Sequence, residues 1–202
     1  VPFAPLEKGH GVRDELAELV QANPLTRGVR RLLQSEPDPA FCLHPDFVRG
    51  VQLLAEFDLH FELCLKGDEQ MRHAVELGRR CPDVRFILDH IGKPRIAERV
   101  MEPWTGLVGE LAALPNAWCK ISGVVTEADV NAWAVDHIEP YIRRALDAFG
   151  PDRVVFGSDW PVVTLAASYK RWLEALDDIV SDLDSTTRRS LYHANAAAFY
   201  RL

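Results

Sequence analysis

The sequence predicts an α/β fold in which a parallel sheet is covered by helices. Three observations carry this. Short apolar runs alternate with longer amphipathic segments. The runs begin about 25–36 residues apart, the size of a βαβ unit. Pro or Gly marks the joints, as at Asn23-Pro24, Gly67, Cys81-Pro82, Pro115-Asn116 and Gly150-Pro151. No composition break or low-complexity tract divides the 202 residues, so residues 1–202 read as one domain.

Strands are expected at VPFAPL (1–6), GVRRLL (28–33), HFELCL (60–65), RFILDHI (85–91), AWCKIS (117–122) and RVVFGS (153–158). They are apolar and short enough to be buried strands. Helical periodicity falls between them. It runs near 11–22, with Leu16, Leu19 and Val20, and near 45–57, with Phe47, Val51 and Leu54. Further helical stretches lie near 68–80, 98–114, 129–149, 166–182 and 185–201. Two architectures accommodate six such units, an open doubly wound sheet and a (β/α)8 barrel lacking two units. No Gly-rich phosphate loop follows any strand, which leaves a dinucleotide fold with little support.

Net charge is −7, from 30 acidic and 23 basic residues, and this balance argues against nucleic acid as a partner. No apolar run reaches membrane-spanning length, and no signal-peptide pattern opens the chain. Cys42, Cys64, Cys81 and Cys119 form no CxxC pair and read as reduced core thiols. A cytoplasmic protein is expected, with no membrane partner.

In both architectures sites form at the C-terminal ends of strands. The residues there are Arg30, Arg31 and Gln34; Lys66; Asp89, His90 and Lys93; Lys120 and Ser122; and Ser158, Asp159 and Trp160. Strand alternation puts Phe86, Leu88 and His90 on one face, and Val155, Gly157 and Asp159 on another. If both faces point inward, His90 and Asp159 converge, with Gly157 leaving room for a ligand. An imidazole and a carboxylate so placed bind a divalent metal or activate a water. Taken alone, Asp159 before Trp-Pro is a turn residue and His90 a hydrogen-bonded core histidine. It is the combination that marks them.

DHIGKP (89–94), GSDWP (157–161), GVRRLLQ (28–34) and the ending NAAAFYRL (195–202) resemble the amidohydrolase superfamily. More narrowly they resemble its lactonase-like branch of sugar-lactone and pyrone-dicarboxylate lactone hydrolases. The resemblance implies a (β/α)8 TIM-type barrel with about six of its eight units in this chain. It implies that Asp159 takes a proton from the attacking water and that His90 contacts the metal or the substrate carbonyl. Arg30, Lys66 and Trp160 become substrate contacts. The implied cofactor is one divalent ion, zinc foremost, held by Asp159 and His90, with a metal-independent reaction as the alternative. The family begins with His-x-His on its first strand, and this sequence has none. About 80 further residues upstream, two βα units, are therefore expected. Without them two strand edges stay open, which favours a homo-oligomer. The expected reaction is hydrolysis of a small-molecule lactone. The alternatives are a metal-dependent decarboxylase of the same superfamily and a non-catalytic truncated barrel.

Overall fold

Residues 1–202 are described by a computed structural model. Its regular elements are, in order, α1 (Arg13–Ala22), β1 (Gly28–Arg30), α2 (Pro45–Leu53), β2 (His60–Leu63), α3 (Asp68–Arg80), β3 (Phe86–Leu88), α4 (Trp104–Ala112), β4 (Ala117–Ile121), the single turn α5 (Val124–Glu127), α6 (Val135–Phe149), β5 (Val154–Phe156), α7 (Tyr169–Ile179), α8 (Ser185–Arg189) and α9 (Asn195–Tyr200). The strands form one sheet, all parallel, in the order β1-β2-β3-β4-β5. A doubly wound sheet reverses strand order at a switch point. No reversal occurs here. Each βα unit adds to the same side of the last, and the sheet is an arc of a barrel.

The run at residues 1–6 is not a sixth strand. Phe3 makes a single parallel bridge to Arg30, whose N–H donates to the Pro2 carbonyl at 2.9 Å. Pro2 and Pro5 have no N–H to give a ladder, and a 3-10 helix starts at Leu6. The arc therefore holds five strands and one bridge. Three helices also differ from their periodic patterns, and of these the stretch near 129–149 becomes helical only at Val135. The stretch near 98–114 becomes helical only at Trp104, with Pro103 at its N-cap. The stretch 185–201 is interrupted by a π turn at Ser190–Ala194. At its start the Asp184 carboxylate accepts from the Thr186 and Thr187 N–H groups at 2.8 and 3.1 Å, a cap that ends the preceding loop.

The two faces of the sheet differ in chemistry. Phe61, Leu63, Phe86, Leu88, Cys119, Ile121 and Val154 point toward the helices and join the main apolar core. Each large side chain buried there is worth about 1.5–3 kcal/mol. The other face carries Arg30, His60, Glu62, Ile87, Trp118, Lys120 and Val155. The pairing register sets Arg30 opposite Glu62, and Lys120 opposite Val155. Phe199 of α9 packs on that face against Ile87 and Val155, and Tyr200 lies beside it. No helix is long and apolar enough to cross a membrane.

Candidate active site

His90 and Asp159 meet at the C-terminal end of the arc, with Nε2 of the imidazole 3.8 Å from Oδ1 of the carboxylate. Strand alternation does not bring them there. Phe86 and Leu88 belong to the helix-side core, while Val155 lies on the other face. What joins them is a pair of left-handed turns. His90 has φ +54°, in the turn Asp89–Gly92 that follows β3, and Asp159 has φ +56° three residues after β5. A non-glycine residue in this region costs on the order of 1 kcal/mol or more and persists only where its surroundings fix it.

Those surroundings can be named. From the helix side, two buried indoles hold the loops. Trp104 donates from Nε1 to the Ile91 carbonyl at 2.8 Å, and Trp172 to the Gly157 carbonyl at 3.1 Å. From β4, Ser122 Oγ pairs with His90 Nδ1 at 2.9 Å. Gly123, at φ +61°, lets the imidazole pass, since a Cβ there would lie 2.8 Å from His90 Nδ1. Gly123→Ala is expected to destabilise the chain by about 2 kcal/mol through strain and overpacking. Thermal denaturation measures this, and an unchanged midpoint would show that the His90 loop yields freely.

Gly157 also acts through absence of a side chain, though not by leaving room for a ligand. A Cβ there would lie 2.9 Å from Ser122 Cβ and 3.2 Å from the Lys120 stem. Lys120 fills the space.

Beneath the pair lies a buried charge network. Lys120 Nζ is 2.6 Å from Asp89 Oδ1 and 3.0 Å from Glu62 Oε1. Arg30 contacts Glu62 and reaches Asp89 Oδ2 at 3.0 Å. Tyr200 donates its hydroxyl to Glu62 at 2.9 Å. Burial works against the Glu62 carboxylate, but the Lys120 and Arg30 charges outweigh it and hold the group well below the usual range. Burial likewise opposes the Lys120 charge, and Asp89 and Glu62 reverse this and raise it. His60 is fully buried with both ring nitrogens unpartnered, and its Nε2 is 3.9 Å from Glu62, too far for a hydrogen bond.

Burial lowers the His90 pKa to about 4, Asp159 opposing this and Lys93, Lys120 and Arg30 adding to it. The imidazole is therefore neutral at pH 7. The sign of the linkage follows. Between the unfolded value of 6.5 and the folded value of about 4, the unfolded chain holds the extra proton. Stability from this group is complete above about pH 6.5 and is lost as pH falls toward about 4. His60, also lowered by burial, acts in the same sense. Thermal midpoints taken from pH 7 to pH 4 should fall, and His90→Gln should flatten the fall.

The other residues expected at the site are placed as follows. Arg30 is committed to Glu62 and Asp89, with 35 % of its side chain still exposed. Lys66 is exposed just after β2 and makes no ion pair; its N–H donates to Gln70 Oε1 at 2.9 Å. Trp160 is 68 % exposed beside Asp159. Glu62 was missed by sequence reasoning, and Asp89 and Lys120 were given no role. A carboxylate inside the apolar run HFELCL was the available signal for the first.

For a divalent cation the residues offer two donors, His90 Nε2 and Asp159 Oδ1. Their 3.8 Å separation is a few tenths of an ångström beyond the roughly 3.3 Å that two ligands about 2 Å from one tetrahedral ion span, a gap a small loop shift closes. Cys64, Asp89 and His90 also present donor atoms within 4.8 Å of one another. Burial pushes the Cys64 thiol up to about 11, and both Asp89 oxygens face cations, so only His90 of that trio is available.

Known proteins place this sequence in a family. The chain is 40% identical over 193 residues to the L-fucono-1,5-lactonase of Burkholderia multivorans, covering 87% of this chain and 63% of that protein. It is 34% identical over 192 residues to the L-fucono-1,5-lactonase of Burkholderia ambifaria, covering 93% and 65%. The chain thus spans a little under two thirds of the length of these relatives. A crystal structure of an amidohydrolase from Burkholderia multivorans with bound zinc superposes with a TM-score of 0.83 at 34% identity, over 96% of this chain and 80% of that one. From residue 1 to residue 202 the sequence matches the family described as Amidohydrolase, and the chain belongs to it.

Proposed function

We propose that this chain carries the catalytic rim of a lactone hydrolase acting on a sugar-derived lactone. The observation that carries the reading is the neutral His90 imidazole facing the Asp159 carboxylate at 3.8 Å, at the strand ends. The class of substrate is supported by the two relatives named L-fucono-1,5-lactonase.

Asp159 accepts a proton from water as its oxygen attacks the ring carbonyl. Negative charge develops on the carbonyl oxygen. His90 meets it if Ser122 donates to Nδ1, because Nε2 then carries the ring hydrogen. The ring C–O bond breaks, Asp159 returns the proton to the leaving alkoxide, and a hydroxy acid results. Arg30, through its exposed edge, Lys66 and Trp160 contact the substrate. If instead Nδ1 donates to Ser122, the Nε2 lone pair and Asp159 hold a divalent ion, zinc in first place, which when bound supplies Lewis-acid polarisation of the carbonyl. The four buried free cysteines support a cytoplasmic setting.

Acid release from L-fucono-1,5-lactone and other sugar lactones, followed with a pH indicator with and without added zinc, tests the reading. Release above the spontaneous rate is expected. No release from any lactone under either condition would overturn it.

A further inference from the structure

We propose that Lys120 is the positioning residue that holds the His90 and Asp159 loops at their working separation. The inference rests on His90 and Asp159 being the reacting pair. Three contacts converge on one side chain of β4. Its ammonium grips Asp89, the residue immediately before His90, at 2.6 Å. The same ammonium reaches Glu62 on β2 at 3.0 Å, so the grip is anchored to the sheet. Its stem runs where a Gly157 side chain would be, two residues before Asp159. Ser122, two residues on along the same strand, binds His90 Nδ1 and touches the same Gly157 position. One strand between the two loops thus sets both.

The backbone gives this its force. His90 and Asp159 both sit at positive φ, a conformation that must be imposed from outside. The indoles of Trp104 and Trp172 fix each loop separately from the helix side. Lys120 and Ser122 are the side chains that meet both loops from the inner face, and of the two only Lys120 is anchored across the sheet to Glu62. Stability alone does not call for a charged network here, because a whole buried ion-pair network is commonly replaceable by apolar residues without loss, although removing a single member is costly. What the lysine supplies, and an apolar residue would not, is a fixed hydrogen bond to the carboxylate next to His90.

The test compares Lys120→Met with Tyr200→Phe in the 202-residue chain. Tyr200 shares Glu62 but contacts neither loop. Both variants are checked for folding by circular dichroism, and the His90 ring is followed by ¹⁵N–¹H NMR. Lys120→Met should shift the His90 ring signals and lower kcat about 10²-fold, the scale of a misplaced reacting group, with KM changed by no more than roughly threefold. Tyr200→Phe should leave the ring signals and kcat unchanged. Equal losses in both variants, or His90 signals unmoved in Lys120→Met, would overturn the proposal. Should Lys120→Met fail to fold, the charge-balanced Lys120→Met/Glu62→Gln, which retains the Asp89–Arg30 pair, takes its place with the same expectations. Should the unaltered chain open no lactone, the NMR comparison still decides the positioning role, and only the reading of the reaction falls.

Discussion

Asp159→Asn is expected to lower kcat for lactone opening by about 10²- to 10⁴-fold, the range a general base contributes. Asparagine keeps the shape of the side chain and cannot take a proton from water. Little structural cost should accompany the loss. The Asp159 carboxylate meets His90 only at 3.8 Å, while its loop is held by backbone contacts, including the Val163 N–H on the Asp159 carbonyl at 2.9 Å. Far-ultraviolet circular dichroism and the thermal midpoint should therefore match the unaltered chain. Residual kcat above a tenth of the original would show that the proton goes elsewhere, and Asp159 would lose its role.

The largest stability effect is expected at Glu62. Glu62→Ala leaves Lys120 and Arg30 sharing only Asp89 in a region where the Glu62 side chain is 2 % exposed. Breaking a buried ion pair from one side costs about 3–5 kcal/mol. For a domain of this size that lowers the thermal midpoint by roughly 10 °C. Glu62→Gln should cost less, since the amide oxygen still accepts from the Tyr200 hydroxyl. Urea unfolding measures both. A loss below about 1 kcal/mol for the alanine variant would mean that water enters and solvates the exposed cations, so that the network is not sealed.

The architecture was legible because βα alternation is a property of local sequence. Residues 68–80 show this at its clearest, where periodicity, Gly67 at the start and Cys81-Pro82 at the end match α3 to the residue. The first run failed for a local reason too: VPFAPL has strand composition, but its two prolines remove donors. At the site, His90 and Asp159 could be marked from their places after apolar runs. Their convergence could not be derived from alternation, because alternation ends with the strand and both residues lie in left-handed turns. Lys120 and Asp89 were hidden differently. Each resembles an ordinary strand-end charge, and only the register of β2, β3 and β4 shows that they neutralise each other indoors.

The packing of α9 on the inner face has a consequence for how the chain acquires its structure. The Tyr200–Glu62 hydrogen bond joins residues 138 positions apart. Helix-side packing of each βα unit can begin with near neighbours, whereas the cover that Tyr200 gives Glu62 on β2 comes from the far end of the described residues. Contacts this distant in sequence slow folding, because a long loop must close before they contribute. Without α9 in place, the arc would present Glu62, Lys120 and His60 to water, and the apolar Ile87, Trp118 and Val155 to any other chain nearby. Removing residues 199–202 should therefore leave formed helices with a wet inner face and a tendency to aggregate, read by circular dichroism and light scattering, and a soluble, unchanged chain would show that the inner face needs no cover from α9.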